Sequence, residues 1–243
     1  IVPGADIVLD STVGYNQAAR ASHSATSFKS VMSTKFENML KSSEKRLEIA
    51  MLYGNQNIGT AAQQDVGTPT TTLTFIVDYA SWATGIWTGS ENANIVFSKA
   101  SDNTAVDSLH SYKISAVNPD TRAVSVQVGT AGTPGVIATL ETAIEAYAVN
   151  INWYGSVSGS AGSFAYAEMA GLRKILTNTG TLFGIDAGTY DLWKGNSVTT
   201  SGQLTMAKVL SAVSRAVQRG LDTDAVVLVN PSTWADLASN LAA

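Results

Sequence analysis

From Ser24 to Met51 apolar residues return every three or four positions, at Phe28, Met32, Phe36, Met39, Leu40, Leu47, Ala50 and Met51. That period lays them along one face of a helix. Ser24 or Thr26 supplies an oxygen for the first free amides, Glu37 and Lys41 form an i,i+4 pair in the favourable order, and Gly54 followed by Asn55 ends the run. The spacing predicts a helix of about eight turns. Any fold for this chain has to accommodate that one long rod.

What precedes and follows it is of a different kind. Ile1 to His23 mixes a short alternating stretch, Ala5-Asp6-Ile7-Val8-Leu9, with small and polar residues, and reads as an extended arm. Asn55 to Pro69 reads as a Gly/Gln/Thr linker. Thr71–Tyr79 and Asn94–Phe97 are β-branched or alternating runs and are expected to be strands. Tyr112–Val117 and Ala123–Val128 flank Asn118-Pro119-Asp120-Thr121-Arg122, a turn-forming stretch, and are expected to pair as a hairpin. Ala146–Tyr154 is a further strand candidate, followed by a Gly/Ser loop over 155–163. Tyr166–Leu176 reads as a short helix or turn segment, and Thr179–Asp186 as a loop with a short strand. Leu204–Arg219 is a helix with Gly220 as its stop, Ala225–Val229 is a continuous apolar run of buried-strand type, and Asn230-Pro231 starts a last helix over Ser232–Leu241. The fold class is α+β, with four regions: an arm over 1–23, the long helix and linker over 24–69, a β-rich module over 70–163, and a helix-strand-helix unit over 164–243. No internal repeat or charge block interrupts this order.

Only 14% of the residues are charged, while 45% are hydrophobic, and the formal net charge is -4. Much of the surface is therefore uncharged Ser, Thr, Asn, Gln and Gly, which protects poorly against association. The absence of cysteine rules out disulfides, thiolate metal sites and thiol nucleophiles. No run approaches the roughly 20 apolar residues of a membrane span, and Ile1-Val2-Pro3-Gly4 lacks the features of a signal peptide. The missing initiator Met and the helical character of Leu241-Ala242-Ala243 suggest trimming at both ends.

Groups that carry chemistry are sparse. His23 and His110 are the only histidines, each in polar surroundings and without metal-ligand or triad spacing. Asp222-Thr223-Asp224 places two carboxylates together but lacks the Gly and terminal Glu of a calcium loop, so it reads as a solvated turn. Glu37, Glu44, Glu48, Glu141, Glu145 and Glu168 show no pairing of the kind glycoside cleavage requires. Gly155–Gly162 lacks the Lys-Ser/Thr ending of a phosphate loop, and Val157 stands where a nucleophile elbow needs serine. Lys29, Lys35, Lys41, Lys45 and Arg46 are interleaved with Glu37, Glu44 and Glu48, so no basic stripe forms. The five tryptophans, Trp82, Trp87, Trp153, Trp193 and Trp234, sit mostly beside apolar neighbours and read as core or interface residues. No catalytic, cofactor or metal site is expected, and the chain does not read as an enzyme.

Three segments, taken in order, resemble the coat proteins of tailed phages with the Hong Kong 97 fold. Phe36–Leu40 through Leu47–Gly54 is similar to the long helix with which such subunits approach the peripheral domain of the shell. Ala170–Leu176 is similar to a Gly-Leu turn that precedes the axial domain, and Leu228-Val229-Asn230-Pro231-Ser232-Thr233-Trp234 to the strand and Asn-Pro-capped helix of that domain. Together these cover about half of the chain. The resemblance implies a virus capsid subunit that self-assembles into hexamers and pentamers, with a scaffolding protein and non-specific contact with packaged DNA as further partners, no membrane contact, and a place in the virion after assembly in the host cytoplasm. It implies that the β-rich middle combines peripheral-domain strands with an inserted subdomain, and that 164–243 is a partial axial domain.

Two departures follow from the same comparison. The namesake crosslinks a lysine of its extended loop to an asparagine, whereas Ile7–His23 holds no lysine, so no autocatalytic crosslinking is expected. The chain also ends soon after the Asn-Pro helix, where the family fold continues. An encapsulin-type compartment shares the implied fold. From a different class, the β-rich module and its aromatics suit a phage glycan-binding module or glycosidase.

Overall fold

A computed structural model describes residue 14 and residues 25–64, 71–108, 110–130, 135–160, 163–195, 204–224 and 226–241. The chain is α+β and divides into two compact units, Val2–Lys174 and Ile175–Ala243. Apart from Gly14, the arm expected over 1–23 lies outside the described residues.

In the first unit, helix α1 (Ala25–Tyr53) runs for 29 residues, about 44 Å at 1.5 Å per residue. It ends where expected: Gly54 donates its amide to Ala50 O at 2.8 Å, and Asn55 takes a left-handed φ of 60°. Strands β1 (Gly59–Gln64), β2 (Thr72–Val77), β3 (Asn94–Lys99), β4 (Tyr112–Asn118), β5 (Ala123–Val128) and β6 (Val149–Trp153) then close into an antiparallel barrel in the order β1-β2-β5-β4-β3-β6. Closure removes the free sheet edges that would otherwise template aggregation. The Asn118–Arg122 turn joins β4 and β5 as expected, with Arg122 at φ 61° and its guanidinium donating to Val77 O at 2.9 Å.

Alternation explains the barrel interior. Leu73, Phe75 and Val77 of β2, and Val124 and Val126 of β5, point inward and are buried, while their chain neighbours are partly exposed. Phe97 sits at the centre, edge-on to Phe75 at 5.7 Å and to Tyr112 at 5.2 Å. Strand β6 is buried on both faces. Val149, Ile151 and Trp153 join the core, while Asn150 accepts from Asn57 at 2.6 Å and Thr60 at 3.2 Å, and Asn152 donates to Ser98 at 3.3 Å. Asn150 is thus tied to its neighbours, which offsets its desolvation, whereas the Asn152 Oδ1 is buried without a hydrogen-bond partner. Short helix α2 (Thr84–Trp87) inserts the fully buried Trp87, and Trp82 lies parallel to it at 5.9 Å. Helix α3 (Ile137–Ala146) packs Ile137, Leu140, Ala143 and Ile144 against β1 and β2.

Several elements differ from the sequence reading. The stretch taken as a linker over 55–69 contains β1, whose small and polar residues pair with both β2 and β6. Residues 137–146 form α3, and the strand expected from Ala146 begins at Val149. The Gly/Ser stretch over 155–163 contributes β7 (Val157–Ser160), which pairs with β8 (Ser163–Tyr166) as a hairpin. Within Tyr166–Leu176 only Leu172–Leu176 is helical, as α4. For β1 and β6 a backbone partner about 90 residues away decides the conformation over local composition, whereas β7–β8 is a local hairpin and α3 and α4 are local helices.

The second unit begins with β9 (Thr181–Leu182) and β10 (Ile185–Asp186), joined through Phe183 and Gly184 at φ 54° and 78°. Trp193 donates to Leu182 O at 3.2 Å and lies edge-on to Phe183, and Arg219 reaches Asp191 at 3.2 Å. Helix α5 (Met206–Gln218) stops before Gly220, whose φ of 99° suits a residue without Cβ. Helix α6 (Pro231–Leu241) starts as expected, with Asn230 Oδ1 accepting from the Thr233 amide at 2.7 Å. Of the strand expected over Ala225–Val229, the described residues Val226–Val229 form none. Val226 and Leu228 are 84% and 83% exposed, and no ladder pairs Val226–Val229 among the described residues. A buried-strand sequence needs neighbouring strands to satisfy its backbone and cover its side chains, and none lies beside it among the described residues. The expected helix-strand-helix is a helix, an unpaired segment and a helix.

Two outcomes test this packing. Phe97→Ala should lower the stability of the barrel by about 3–5 kcal/mol in urea unfolding. Burial, reinforced by the hydrogen bond to Asp107 at 2.9 Å, holds the Tyr112 hydroxyl well above the usual phenol range. Its folded-state pKa exceeds its unfolded value near 10, so its contribution is complete below pH 10 and is lost as pH rises through the folded value. Stability should therefore fall above pH 10, and Tyr112→Phe should flatten that decline.

Candidate functional site

Helix α1 has two faces with different fates. The inner face anchors its C-terminal third to the first unit. Ile49 and Ala50 are buried, Lys45 donates to Thr88 O, and the Arg46 guanidinium bonds Glu168 while lying 5.5 Å from the Trp153 ring. Gly54 completes the anchor: its carbonyl accepts from the Gly171 amide at 2.9 Å, and a Cβ at Gly54 would stand 2.3 Å from Met169 O. Arg173, in α4, lies 5.6 Å from the Tyr53 ring, so α4 grips the helix end from a second side.

Arg46 and Glu168 come together from opposite ends of the unit, with side chains only 23% and 15% exposed. Burial is the larger influence on both, pushing the Glu168 carboxyl up from its ordinary 4.5 and the Arg46 guanidinium down, while each partner's charge opposes the change. Desolvation thus consumes much of the mutual attraction, and the pair fixes where the helix lies more than it adds stability. Burial pushes Tyr166 up to about 12, with Glu168 adding to the effect. Beside this pair lies a cleft of about 510 Å³, with Ser42 and Arg46 on one wall and Glu91, Asn92, Asn94 and Trp153 on the other.

The outer face is uncovered. Phe36 is 63% exposed, Leu40 51%, Leu47 44% and Met51 59%. These side chains form a continuous stripe along about four turns, at successive spacings of four, seven and four. The apolar face that the sequence presents as one is therefore divided. Ala50 is buried, Met39 is half-buried, and the rest of the described stripe meets solvent; nothing is described of the Phe28 side chain. Glu37 accepts from Ser33 Oγ at 3.2 Å, so the expected partner Lys41 is not what its carboxylate bonds.

The other residues weighed from sequence stay apart. His110 lies 3.3 Å from Asp107, and His23 falls outside the described residues. Asp222 and Asp224 are exposed, and Glu141 and Glu145 lie along α3. Among the described residues no three His, Cys, Asp or Glu side chains gather as a metal site, and no helix is long and apolar enough to cross a membrane. Of the tryptophans, Trp87 and Trp153 are buried, Trp82 is half-buried, and Trp193 and Trp234 are exposed, the last by 61%. The Arg46–Glu168 pair has no signal in the sequence, since 122 residues separate its members.

No protein-family profile matches the chain, and no curated protein or solved structure matches it either.

The anchor makes a specific prediction. Glu168→Leu alone strands Arg46 and should cost about 1–3 kcal/mol, below the range for a fully buried pair because water reaches both side chains. Arg46→Met with Glu168→Leu should recover most of that loss in urea unfolding at pH 7. The raised Glu168 pKa adds a sign: its contribution is present below pH 4.5 and lost as pH rises through the folded value. The double variant should lack this component.

Proposed function

We propose that this chain is a self-assembling shell subunit of the tailed-phage coat-protein kind with the Hong Kong 97 fold. The observation that carries the reading is the exposed Phe36, Leu40, Leu47 and Met51 stripe on a long helix anchored at one end. Contiguous apolar surface of this extent is a feature of binding surfaces. Shell subunits work by burying such area at many symmetric contacts, and the low share of charged residues suits the same role. In this reading the barrel is the inserted subdomain, and 175–243 belongs to the axial domain. Copies of the chain in hexamers and pentamers are the main partners, with a scaffolding protein and packaged DNA as further ones, and the virion is its destination.

An encapsulin-type compartment would present the same surfaces, and its shells would enclose cargo enzymes in place of nucleic acid. The glycan-binding reading draws less support. Trp87 is fully buried and Trp82 stacks on it, so this pair is packed and not displayed as a platform for sugar rings.

Negative-stain microscopy of the protein with a scaffolding partner should reveal closed shells of uniform diameter. Persistent monomers with catalytic turnover would contradict the proposal. Because Ile7–His23 holds no lysine, assembled shells should separate into single chains on a denaturing gel, without a covalent ladder.

A further inference from the structure

We infer that α1 pairs antiparallel with α1 of a second copy, about a twofold axis passing between Ser43 and Glu44. The four most exposed apolar side chains of α1, Phe36, Leu40, Leu47 and Met51, are palindromic, because their spacings of four, seven and four read alike from both ends; the less exposed Met32 and Leu52, at 41% and 43%, lie off this line on either side. Reversing one helix against another about that centre sets Phe36 on the partner's Met51 and Leu40 on the partner's Leu47. Every large apolar side chain of the stripe then meets another one. Such a contact is isologous, the kind a twofold axis requires.

Charge selects the same direction. At about 100° per residue, Glu37, Lys41, Glu44 and Glu48 all fall on one flank of the stripe, while Met32, Met39 and Ser43 on the other flank carry no charge. In an antiparallel pair each flank meets its own equivalent, so Lys41 comes to lie between the partner's Glu44 and the partner's Glu48. A parallel pair would set the charged flank against the uncharged one and leave Lys41 without an acidic neighbour across the contact. Lys45 and Arg46 take no part, since both are engaged on the inner face.

A two-helix contact of about four turns falls among small interfaces, below about 1,200 Å². The pairing is therefore weak and concentration-dependent, and suits a lattice in which several such contacts act together. It deepens the self-assembly reading and rests on it only in that copies of this chain meet; a closed shell is not required.

The chain has no cysteine, so single-cysteine variants report the geometry directly. Full-length protein carrying Ser43→Cys, close to the axis, should form a disulfide-linked dimer under mild oxidation. Ser33→Cys should not, since the antiparallel arrangement holds its two copies about 30 Å apart. Adding Phe36→Glu to Ser43→Cys should cut the crosslinked yield about tenfold, as expected for a weakening of about 1.4 kcal/mol. Thermal unfolding followed by circular dichroism checks that this variant stays folded. Lys41→Glu, which leaves the apolar stripe intact, should lower the yield in the same direction. A dimer formed as readily through Cys at 33 as at 43, or one unaffected by Phe36→Glu, or none at all, overturns the pairing. Closed shells in which Ser43→Cys does not crosslink remove the pairing and keep the shell. A crosslinked pair from protein that never closes a shell keeps the pairing and removes the shell.

Discussion

The first unit depends on a backbone contact that only glycine permits. Where Gly54 ends the long helix, its carbonyl meets the amide of Gly171, and a Cβ at either position would press into main-chain atoms. Main-chain atoms cannot rotate away as a side chain can, so the contact fixes the helix end against the segment leading to α4. Ile49 and Ala50 add burial beside it, and the Arg46–Glu168 pair sets the rotation of the helix about its own axis. From that end the helix projects as a rod whose inner face is committed and whose outer face is not.

This arrangement gives the apolar outer stripe its meaning. A helix of 29 residues cannot bury both sides of itself against one six-stranded barrel, and the barrel core is already complete with Phe97, Phe75, Tyr112 and Leu140. Leaving Phe36, Leu40, Leu47 and Met51 in water forgoes stabilisation that burial would bring, roughly 25 cal/mol for each Å² of apolar area. A second surface laid on the stripe would recover it. The Arg46–Glu168 pair has the same logic, because it contributes orientation where an apolar pair would contribute more stability. The barrel and the anchor thus bury their apolar side chains against one another, and the stripe is the part left exposed.

Sequence periodicity made the long helix, the β4–β5 hairpin, α5 and the Asn230-capped start of α6 legible, because each is specified by residues close together in the chain. It gave no sign of β1, whose Gly-Thr-Ala-Ala-Gln-Gln sequence carries little strand propensity and is held by β2 on one side and β6 on the other. The opposite error arose at Val226–Val229, where strong local character meets no partner among the described residues. Of the candidate surface, the apolar residues were legible and their division between the two faces was not. Which part of the face stays exposed depends on where the barrel lies, and on Arg46 finding Glu168 across 122 residues.

Hydrogen–deuterium exchange on the full chain, compared between dilute protein and assembled material, tests most directly whether α1 is anchored at one end and completed by another molecule. Amides of 46–53 should be as protected as those of the barrel strands in both samples. Amides of 31–44 should exchange faster in the dilute sample and slow by at least about tenfold on assembly, corresponding to about 1.4 kcal/mol of added local stability. Equal protection along the whole helix in both samples would contradict the account.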